Sequence, residues 1–501
     1  MDFQLFVDGL LTTLSPVNFL LVMAGMMAGI IFGALPGISA SMTIVLLLPF
    51  TYYMGIIPSI ILLVAIYMGA AYGGAITAIL FNTPGDPGAV VTTLDGYQMT
   101  KQGKAGRALG LSISAGAAGG IFSLLVLLFA APPLSKFALE IQSAEYFALA
   151  FLGMTVIAAL GNRNQIRTLI SGALGILLAM IGLDPMVGAE RFTFGSVSLM
   201  NGLDFVPIMI GAFALAEVLA QVIEKQDTGF NMSTKIPLEG LKLKDMWMHR
   251  WTLLKASVIG TFMGIMPGTG GSIASIVSYG EAVRSSKNPE KFGKGAEEGV
   301  VAPEAANNAA AGGAMIPTLV LGIPGSPTTA VILAALTLQG LQPGPQLMSE
   351  QPLLLYCIFF SMLITSIAAF SGGRIGVQLF ALMTRLPYSI LGPCILLFSI
   401  IGAYAVDNDM FSVWIALLFG VIGYFMQKYQ FTPSAMILGL VLGKMMEETF
   451  RRQLLITNGD YSSFVTQPIS AFILLLAVLS LVYPFLSQYL KRRGNKNSSN
   501  A

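Results

Sequence analysis

Apolar runs separated by short polar turns dominate the chain. A helix that crosses a bilayer needs about 20 apolar residues at about 1.5 Å each. Runs of suitable length lie near 17–34, 57–82, 108–131, 146–160, 165–183, 203–222, 252–266, 304–322, 353–371, 388–405, 410–426, 432–446 and 466–488. Shorter apolar pieces follow Pro-Gly pairs, as at 38–50 and 328–338. The pattern predicts an all-α polytopic membrane protein.

Composition supports this prediction. Of the 501 residues, 55% are hydrophobic and only 10% are charged, against about 25% in ordinary soluble proteins. A soluble fold of this size would need a charged surface, which this composition cannot supply. The composition also excludes a disordered protein, a nucleic-acid-binding protein and a secreted disulfide scaffold. The amino terminus lacks the basic region and cleavage site of a signal peptide. Cys357 and Cys394 lie in apolar runs and are interpreted as small buried hydrophobic residues.

The two halves of the chain repeat each other. GALPGISAS at 33–41 returns as GIMPGTGGS at 264–272, and GGA at 73–75 returns at 312–314. NTPGDP at 82–87 returns as GIPGSP at 322–327, LDGYQ at 94–98 as LQGLQ at 338–342, and FVP at 205–207 as FTP at 431–433. We therefore predict a first membrane repeat at 1–222, a charged cytoplasmic connector at 223–250 and a second repeat at 251–450. An extra carboxy-terminal transmembrane helix and a basic tail occupy 451–501.

The distribution of basic residues predicts that the repeats are inverted. With the carboxy terminus placed in the cytoplasm, 22 of the 27 Lys and Arg fall in cytoplasmic loops, as expected for membrane proteins. The basic loop at 97–107 corresponds to a loop without bases after Pro324-Gly325. Equivalent loops therefore face opposite sides. The count requires that 17–50 and 252–283 each return to their starting side, as re-entrant hairpins or as two crossings.

Four Pro-Gly pairs predict broken helices within the membrane. Proline removes a backbone donor and glycine permits unusual backbone angles. Unsatisfied backbone groups persist in the membrane only where protein or a water-filled cavity surrounds them. Broken helices at corresponding positions of inverted repeats indicate the central site of a transporter. The four breaks, at Pro36-Gly37, Pro84-Gly85, Pro267-Gly268 and Pro324-Gly325, are called breaks 1 to 4 below. Simple kinks in packed helices are the alternative.

Small and hydroxylic residues surround the breaks. Their hydroxyl, amide and backbone groups can bind carboxylate oxygens, although helix capping is their ordinary role. The predicted substrate-binding residues are Ser39, Ser41, Asn82, Thr83, Thr269, Gly270, Gly271, Ser272, Asn307, Asn308, Ser326 and Thr328. No metal site or cofactor is expected, apart from a coupling cation, Na⁺ or H⁺. The predicted cation-binding residues are Asp86, Thr43 and Thr329.

Two acidic positions differ between the halves. Asp86 lies between two Pro-Gly pairs, and an ionisable residue at membrane depth is a functional candidate by default. It could bind a cation or cap the next half-helix, whereas the second repeat has Ser326 at that position. The run EAANN at 304–308 has no counterpart, since the first repeat offers Ala65, Met68 and Gly69. Its asparagines could bind substrate or join helices.

The sequence resembles the large membrane subunit of tripartite tricarboxylate transporters, the TctA family. The stretches that carry the resemblance are GALPGISASMTIVLLLPFTYYM from 33, AYGGAITAILFNTPGDPGAVVTTLDGYQMTKQGKAGRALG from 71, GIMPGTGGSIASIVSYGEA from 264 and PEAANNAAAGGAMIPTLVLGIPGSPTTAV from 303. The resemblance implies secondary uptake across the bacterial inner membrane. It also implies a small membrane subunit (TctB-like), a periplasmic solute-binding protein (TctC-like) and substrates such as citrate and other carboxylates, coupled to Na⁺ or H⁺.

Three functions compete at this point. The first is a cation-coupled importer of organic carboxylates, expected to be of elevator type. An uncoupled organic-anion channel or exporter would instead use a continuous polar pore. The third, an intramembrane enzyme, would need a nucleophile-base or metal set. His249 is the single histidine and lies in a charged stretch, so most hydrolase and metalloenzyme sites are disfavoured. Paired breaks and inverted repeats favour the importer.

Overall fold

A computed structural model describes residues 3–35, 38–160, 165–224, 243–266, 270–383 and 388–482. At 139, 156–160, 243–245, 372–383, 388–391 and 407 it describes the backbone only. Breaks 1 and 3 lie outside the described residues, as do Thr269, most of the connector 223–250 and the basic tail.

The first half is helical apart from short loops and one hairpin. Its helices are α1 Phe3–Leu14, α2 Pro16–Gly33, α3 Ala40–Thr51, α4 Ile56–Phe81, α5 Thr92–Lys101, α6 Ala105–Glu140, α7 Ser143–Leu160, α8 Gln165–Ala179, α9 Val197–Met200, α10 Phe205–Met209 and α11 Ala216–Glu224. A 3-10 turn, Pro87–Ala89, precedes α5, and a π-helical segment, Ile210–Leu215, joins α10 to α11. Strands β1 Gly182–Leu183 and β2 Glu190–Arg191 pair antiparallel.

The second half is also helical. Its helices are α12 Leu243–Met248, α13 Arg250–Ile265, α14 Gly270–Ser285, α15 Glu298–Leu321, α16 Pro327–Leu338, α17 Pro345–Glu350, α18 Pro352–Met383, α19 Tyr388–Asp407, α20 Met410–Lys428, α21 Pro433–Ile456, α22 Ser463–Thr466 and α23 Pro468–Val482. A 3-10 turn, Pro289–Lys291, lies between α14 and α15.

Several of these helices have the length and composition of membrane spans. Among the described residues six qualify: Pro16–Gly33, Ile56–Phe81, Ala105–Ala138, Phe205–Ile223, Pro352–Ser371 and Met410–Lys428. The prediction of an all-α polytopic membrane protein is confirmed. Helices α3 and α16 have 12 residues each, or about 18 Å. They are therefore much shorter than the hydrocarbon core of about 30 Å.

Glycines allow close helix packing in both halves. In the first, a Cβ on Gly29 or Gly33 of α2 would overlap the backbone of α4 at Ile66 or Ala70. In the second, a Cβ on Gly260 or Gly264 of α13 would overlap the backbone of α15 at Ala306 or Ala310. Small residues at such interfaces let backbones approach where lipid gives no hydrophobic drive for association.

The chain forms two compact units, and each contains segments from both halves. Unit 1 comprises Met1–Ala138 and Val206–Tyr424, and it holds α3, α4, α14, α15 and α16. Unit 2 comprises Leu139–Phe205 and Phe425–Ala501. This is a spatial division, whereas the predicted boundaries at 222, 250 and 450 describe the sequence repeat and stay a prediction.

Unit 2 is built on α7, α8 and α21. Helices α8 and α21 meet at Gly172 and Gly439, where a Cβ on Gly439 would overlap the Gly172 carbonyl oxygen. The β1–β2 hairpin is tied to α21 by an ion pair between Asp184 Oδ2 and an Arg451 guanidinium nitrogen at 2.5 Å. Hydrogen bonds from Arg451 and from the Met186 backbone N–H hold the pKa of Asp184 at about 2.

Candidate substrate and cation site

Helices α4 and α15 end in the same way, at breaks 2 and 4. Asn82 ends α4 with φ 58°, and Gly322 ends α15 with φ 70°, both in the left-handed region. Their backbone N–H groups donate to the carbonyls of Thr77 and Pro317 respectively. A left-handed residue is a common helix terminator, and a following proline cannot continue the helix. Helices α4 and α15 therefore end directly before Pro84-Gly85 and Pro324-Gly325, and the role of these breaks in a transport site stays a prediction.

Each break then folds back on the helix it ends. The Gly85 N–H donates to the Gly74 carbonyl at 3.2 Å. The Gly325 N–H donates to Thr318 Oγ1 at 3.3 Å. A Cβ on Gly85 would contact Gly74, and a Cβ on Gly325 would contact Ala314. Glycine is needed at both breaks because the backbones approach this closely.

These contacts correct the alignment of the two halves by one residue. They pair Gly74 with Ala314, whereas the matching GGA letters had paired Gly74 with Gly313. At the corrected offset Tyr67, not Met68, corresponds to Asn307. The first repeat therefore has a polar side chain, that of Tyr67, at the position that corresponds to Asn307. The contacts of each glycine determine which residues of the two halves correspond. A match of three letters could not determine this.

The segments after breaks 2 and 4 begin with a capping side chain. Asp86 Oδ2 accepts from the Gly88 N–H at 2.8 Å and caps the Pro87–Ala89 turn. Ser326 Oγ accepts from the Thr329 N–H at 3.2 Å. Thr329 Oγ1 in turn accepts from the Ser326 N–H at 2.9 Å. Asp86 thus makes the capping contact that was its alternative predicted role, and cation binding stays a prediction.

Break 1 is followed by hydroxyl groups that bond locally. Ser39 Oγ caps α3 by accepting from the Met42 N–H at 3.3 Å, and it lies 2.9 Å from Ser41 Oγ. Thr43 Oγ1 donates to the Ser39 carbonyl at 3.1 Å. Ser41 and Thr43 are buried. After break 3, α14 begins at Gly270, which has φ 56°, followed by Gly271 and the half-buried Ser272.

The segments after the four breaks pack in cross-pairs between the halves. Helix α3, after break 1, packs against α16, after break 4. Helix α14, after break 3, packs against the Pro87–Ala89 turn, after break 2. Each pair therefore joins one half-helix from each repeat within unit 1.

Tyr67 and Asn307 reinforce the two cross-pairs. The Tyr67 hydroxyl lies 3.4 Å from Ser326 Oγ of break 4. The side chain of Asn307 reaches the other pair, since a Cβ on Gly88 or on Gly271 would overlap Asn307 Oδ1. Asn307 is 4% exposed, and its Nδ2 has no hydrogen-bond partner among the described residues. Its side-chain amide thus lies beside both Gly88 and Gly271, and its role in substrate binding stays a prediction.

Asn308 is not brought to the breaks. Its Nδ2 donates to the Glu304 carbonyl at 3.1 Å, and its neighbours are Gly116 of α6 and Tyr72 of α4. Of the remaining predicted residues, Thr328 is buried, Asn82 is exposed, and Thr83 Oγ1 donates to the Phe81 carbonyl at 3.3 Å. Residues that are adjacent in the sequence, such as Asn307 and Asn308, therefore contact different parts of the structure.

Two residues that the sequence did not single out also link the halves. Asp95 of α5 accepts at 2.8 Å from the N–H groups of Gly295 and Ala296, in the α14–α15 connector. Its counterpart Gln339, after α16, donates through Nε2 to the Thr51 carbonyl and to Ser59 Oγ, both at 3.2 Å, at the α3–α4 connector. The LDGYQ and LQGLQ matches marked both positions, but only as evidence of repetition.

The single histidine takes part in a cluster with an acidic and a basic side chain. His249 Nε2 lies 3.1 Å from Glu297 Oε2, and Arg107 Nε lies 3.0 Å from Glu297 Oε1. These hydrogen bonds from His249 and Arg107 hold the pKa of Glu297 at about 2. The cluster joins the starts of α6, α13 and α15.

Comparison with known proteins identifies the family. The chain is 38% identical over 485 residues, 97% of its own length and 96% of the relative's, to an "Uncharacterized 52.8 kDa protein in TAR-I ttuC' 3'region" of Agrobacterium vitis. It is 39% identical over 234 residues, 47% of the chain and 97% of the relative, to an "Uncharacterized protein in TAR-II ttuC' 3'region" of the same organism. No solved structure matches the chain. Residues 19–438 match the pattern that defines the tripartite tricarboxylate transporter TctA family. The chain therefore belongs to the tripartite tricarboxylate transporter TctA family.

Proposed function

We propose that this chain is the large membrane subunit of a cation-coupled secondary transporter that imports organic di- or tricarboxylates. A periplasmic solute-binding protein delivers the substrate, and a small membrane subunit completes the complex. The protein resides in the bacterial inner membrane with its carboxy terminus in the cytoplasm. The observation that carries the proposal is the cross-pairing of break segments, with the side-chain amide of Asn307 beside Gly88 and Gly271.

The cross-pairs also support inverted repeats. Helix α2 packs on α4 in the first half as α13 packs on α15 in the second. Asp95 binds the helix connector of the opposite half, and Gln339 does the same in return. A reciprocal exchange of this kind is what two repeats related by a two-fold axis in the membrane plane would produce.

An anionic substrate suits the polar groups around the breaks. Half-helix starts expose backbone N–H groups and the positive end of the helix dipole. Hydroxyls at Ser39, Ser41 and Ser326 and the amide of Asn307 add neutral donors. The described basic side chain nearest in sequence to break 2, Lys101, lies two turns into α5. Helix starts, neutral donors and a bound cation would therefore share the neutralisation of the substrate.

The packing of the break segments favours an elevator mechanism, partly by analogy with other transporters. The four segments contact one another in two pairs within unit 1, and we expect them to move as one body while the remaining long helices form a scaffold. Cysteine cross-links between a break and a scaffold helix should form in one transport state and be lost in the other. One constant distance in all states would refute the mechanism.

Uptake into proteoliposomes tests the function. The chain is reconstituted with its two partner proteins and supplied with mono-, di- and tricarboxylates, with Na⁺ and H⁺ gradients imposed separately. We expect accumulation of a di- or tricarboxylate that requires the binding protein and one of the gradients. A substrate current that continues without any cation gradient would instead indicate an uncoupled channel, and outward movement alone would indicate an exporter.

A further inference from the structure

Glu304 is a buried acid that the proposed site does not use. It lies on α15 with 0% exposure. The Thr92 hydroxyl donates to Glu304 Oε1 at 2.5 Å, and Oε2 has no hydrogen-bond partner in the part of the chain that the structure describes. None of the ion pairs formed by the described side chains includes Glu304. A carboxylate held in this way would be a buried, uncompensated charge, which folded proteins avoid by binding a proton.

The groups around Glu304 are neutral or acidic. Tyr72 of α4 and Asp86 of break 2 are near enough to interact with it electrostatically, and Ser112 of α6 is a neighbour. Other charged and titratable groups on elements packed against α15 are engaged elsewhere or exposed. The engaged groups are Asp95 with Tyr279, Arg107 and His249 with Glu297, Lys255 and Arg284 with Glu281, Lys101 with Tyr97, Arg250 with Trp247 and Tyr67 with Ser326, and Glu350 of α17 is exposed. Since no described basic side chain pairs with Glu304, a bound proton would neutralise it in this arrangement.

One contact and one shared helix connect Glu304 to the moving part of the proposed site. Thr92 begins α5, directly after break 2 and the Pro87–Ala89 turn. Asn307, which reaches Gly88 and Gly271, lies three residues further along α15, or about 4.5 Å along the helix axis. Displacement of the segment 86–92 would remove the Thr92 hydroxyl from Glu304 and open the carboxyl group to water. The position of the segment 86–92 and the access of water to the Glu304 carboxyl group are thus linked through the contact with Thr92.

We infer that Glu304 is a proton-binding site of the transport cycle. Its carboxylate takes up one proton from the side where substrate enters and becomes the neutral acid enclosed in the arrangement seen here. When the break segment moves away on the other side, the acid releases that proton to water and returns to the carboxylate. Asn308 Oδ1, one turn along α15, is likewise buried without a partner among the described residues. The inference rests on the proposed function, since it names the coupling ion of that same transporter.

The test compares net uptake with substrate exchange for the complete complex in proteoliposomes. A pH-sensitive dye inside the vesicles reports proton entry. We expect the wild type to acidify the lumen as substrate enters. Glu304→Gln, which resembles the neutral acid, should keep substrate-for-substrate exchange within about twofold but lose proton entry. Its net uptake driven by a pH gradient should fall at least tenfold, about 1.4 kcal/mol.

Glu145→Gln is the matched control. Glu145 is also a buried carboxyl group, 6% exposed, but it accepts from the Gln142 N–H at the start of α7. This variant should retain wild-type proton entry. Proton entry at the wild-type level in Glu304→Gln would overturn the inference. Wild-type uptake driven by Na⁺ without proton movement would overturn it while leaving the proposed function intact, whereas no carboxylate uptake at all would refute the proposed function itself.

Chemical modification of the wild type tests whether Glu304 binds a proton if Glu304→Gln fails to fold. Hydrophobic carbodiimides modify carboxyl groups in the membrane when these are protonated. Mass spectrometry of the treated complex should find an adduct on Glu304 that substrate binding reduces and that decreases as pH is raised. The absence of an adduct on Glu304 across the same pH range would overturn the inference.

Discussion

At the scale of single residues, Asp86 is the side chain whose two roles can be separated by experiment. In the structure it caps the Pro87–Ala89 turn through one carboxylate oxygen. Asparagine caps helices about as well as aspartate, so Asp86→Asn should insert and fold normally. If Asp86 also binds the coupling cation, the variant should lose at least tenfold in apparent cation affinity, about 1.4 kcal/mol.

Uptake measured against Na⁺ concentration and against pH, for the wild type and Asp86→Asn, makes the distinction. An unchanged dependence in both titrations would mean that Asp86 is structural. The cation site would then have to rest on carbonyls and hydroxyls, including those of Thr43 and Thr329. This experiment differs from the one on Glu304 because Asp86→Asn is expected to change cation affinity rather than to separate exchange from net uptake.

Asp95 should be important for stability rather than for substrate binding. It is 0% exposed and accepts from two backbone N–H groups and from the Tyr279 hydroxyl, each at 2.8 Å. Asp95→Ala leaves three half-buried donors without an acceptor, and each such group costs at most about 1–3 kcal/mol. Thermal unfolding in detergent should show a clear loss of stability for Asp95→Ala. Tyr279→Phe, which removes one donor with its hydroxyl, is the control and should lose much less. Equal losses in the two variants would contradict this account.

Residue chemistry explains how much of the site the sequence could predict. Proline and glycine act on their own backbone, so the breaks at Pro84-Gly85 and Pro324-Gly325 were visible locally. The contact of Asn307 with Gly88 and Gly271 joins three distant parts of the chain, and nothing local indicates it. Glu304 and Asn307 lie within one short run, yet their side chains reach different neighbours, which only the packing of α15 reveals.

At the scale of helices, glycine residues determine how closely the helices within each half can approach one another. A Cβ on Gly260 would overlap the Ala306 carbonyl oxygen of α15, which is backbone and cannot rotate away. Gly260→Ala should therefore separate α13 from α15 and destabilise the protein by about 1–3 kcal/mol, as overpacking does elsewhere. Gly280→Ala on α14 is the matched control, because a Cβ there has no neighbour within 4 Å.

Thermal unfolding of both variants in detergent checks this prediction. Gly280→Ala should be neutral or more stable by up to about 1 kcal/mol, because alanine favours helix over glycine. If Gly260→Ala were as stable as Gly280→Ala, the close approach of α13 and α15 would be wrong. Helix existence was predictable from the length of the apolar runs. Helix pairing was not, because nearly every face of these helices is apolar and the pattern does not indicate a partner.

At the scale of the whole molecule, both compact units combine segments from the two halves. A sequence repeat describes the order of elements along the chain, whereas contacts follow the cross-pairing of those elements. The halves could therefore be recognised from repeated motifs, but the composition of unit 1 and unit 2 could not. The basic residues Arg191 and Arg451 stabilise unit 2 through ion pairs. They pair with Glu447 and Asp184, each at 2.5 Å.

The orientation of the repeats in the membrane can be tested by labelling exposed loops. Inverted repeats place 97–107, 223–250 and 489–501 in the cytoplasm and 339–352 outside. Lys104 and Gln346 are both exposed, so single cysteines at these positions can be labelled without unfolding. Cys394 is exposed and is replaced by serine to remove background, whereas Cys357 is buried. A membrane-impermeant maleimide applied to intact cells should label Gln346→Cys, and should label Lys104→Cys only after the membrane is permeabilised. Equal labelling of the two in intact cells would mean that the equivalent loops share one side, and the inverted arrangement would have to be abandoned.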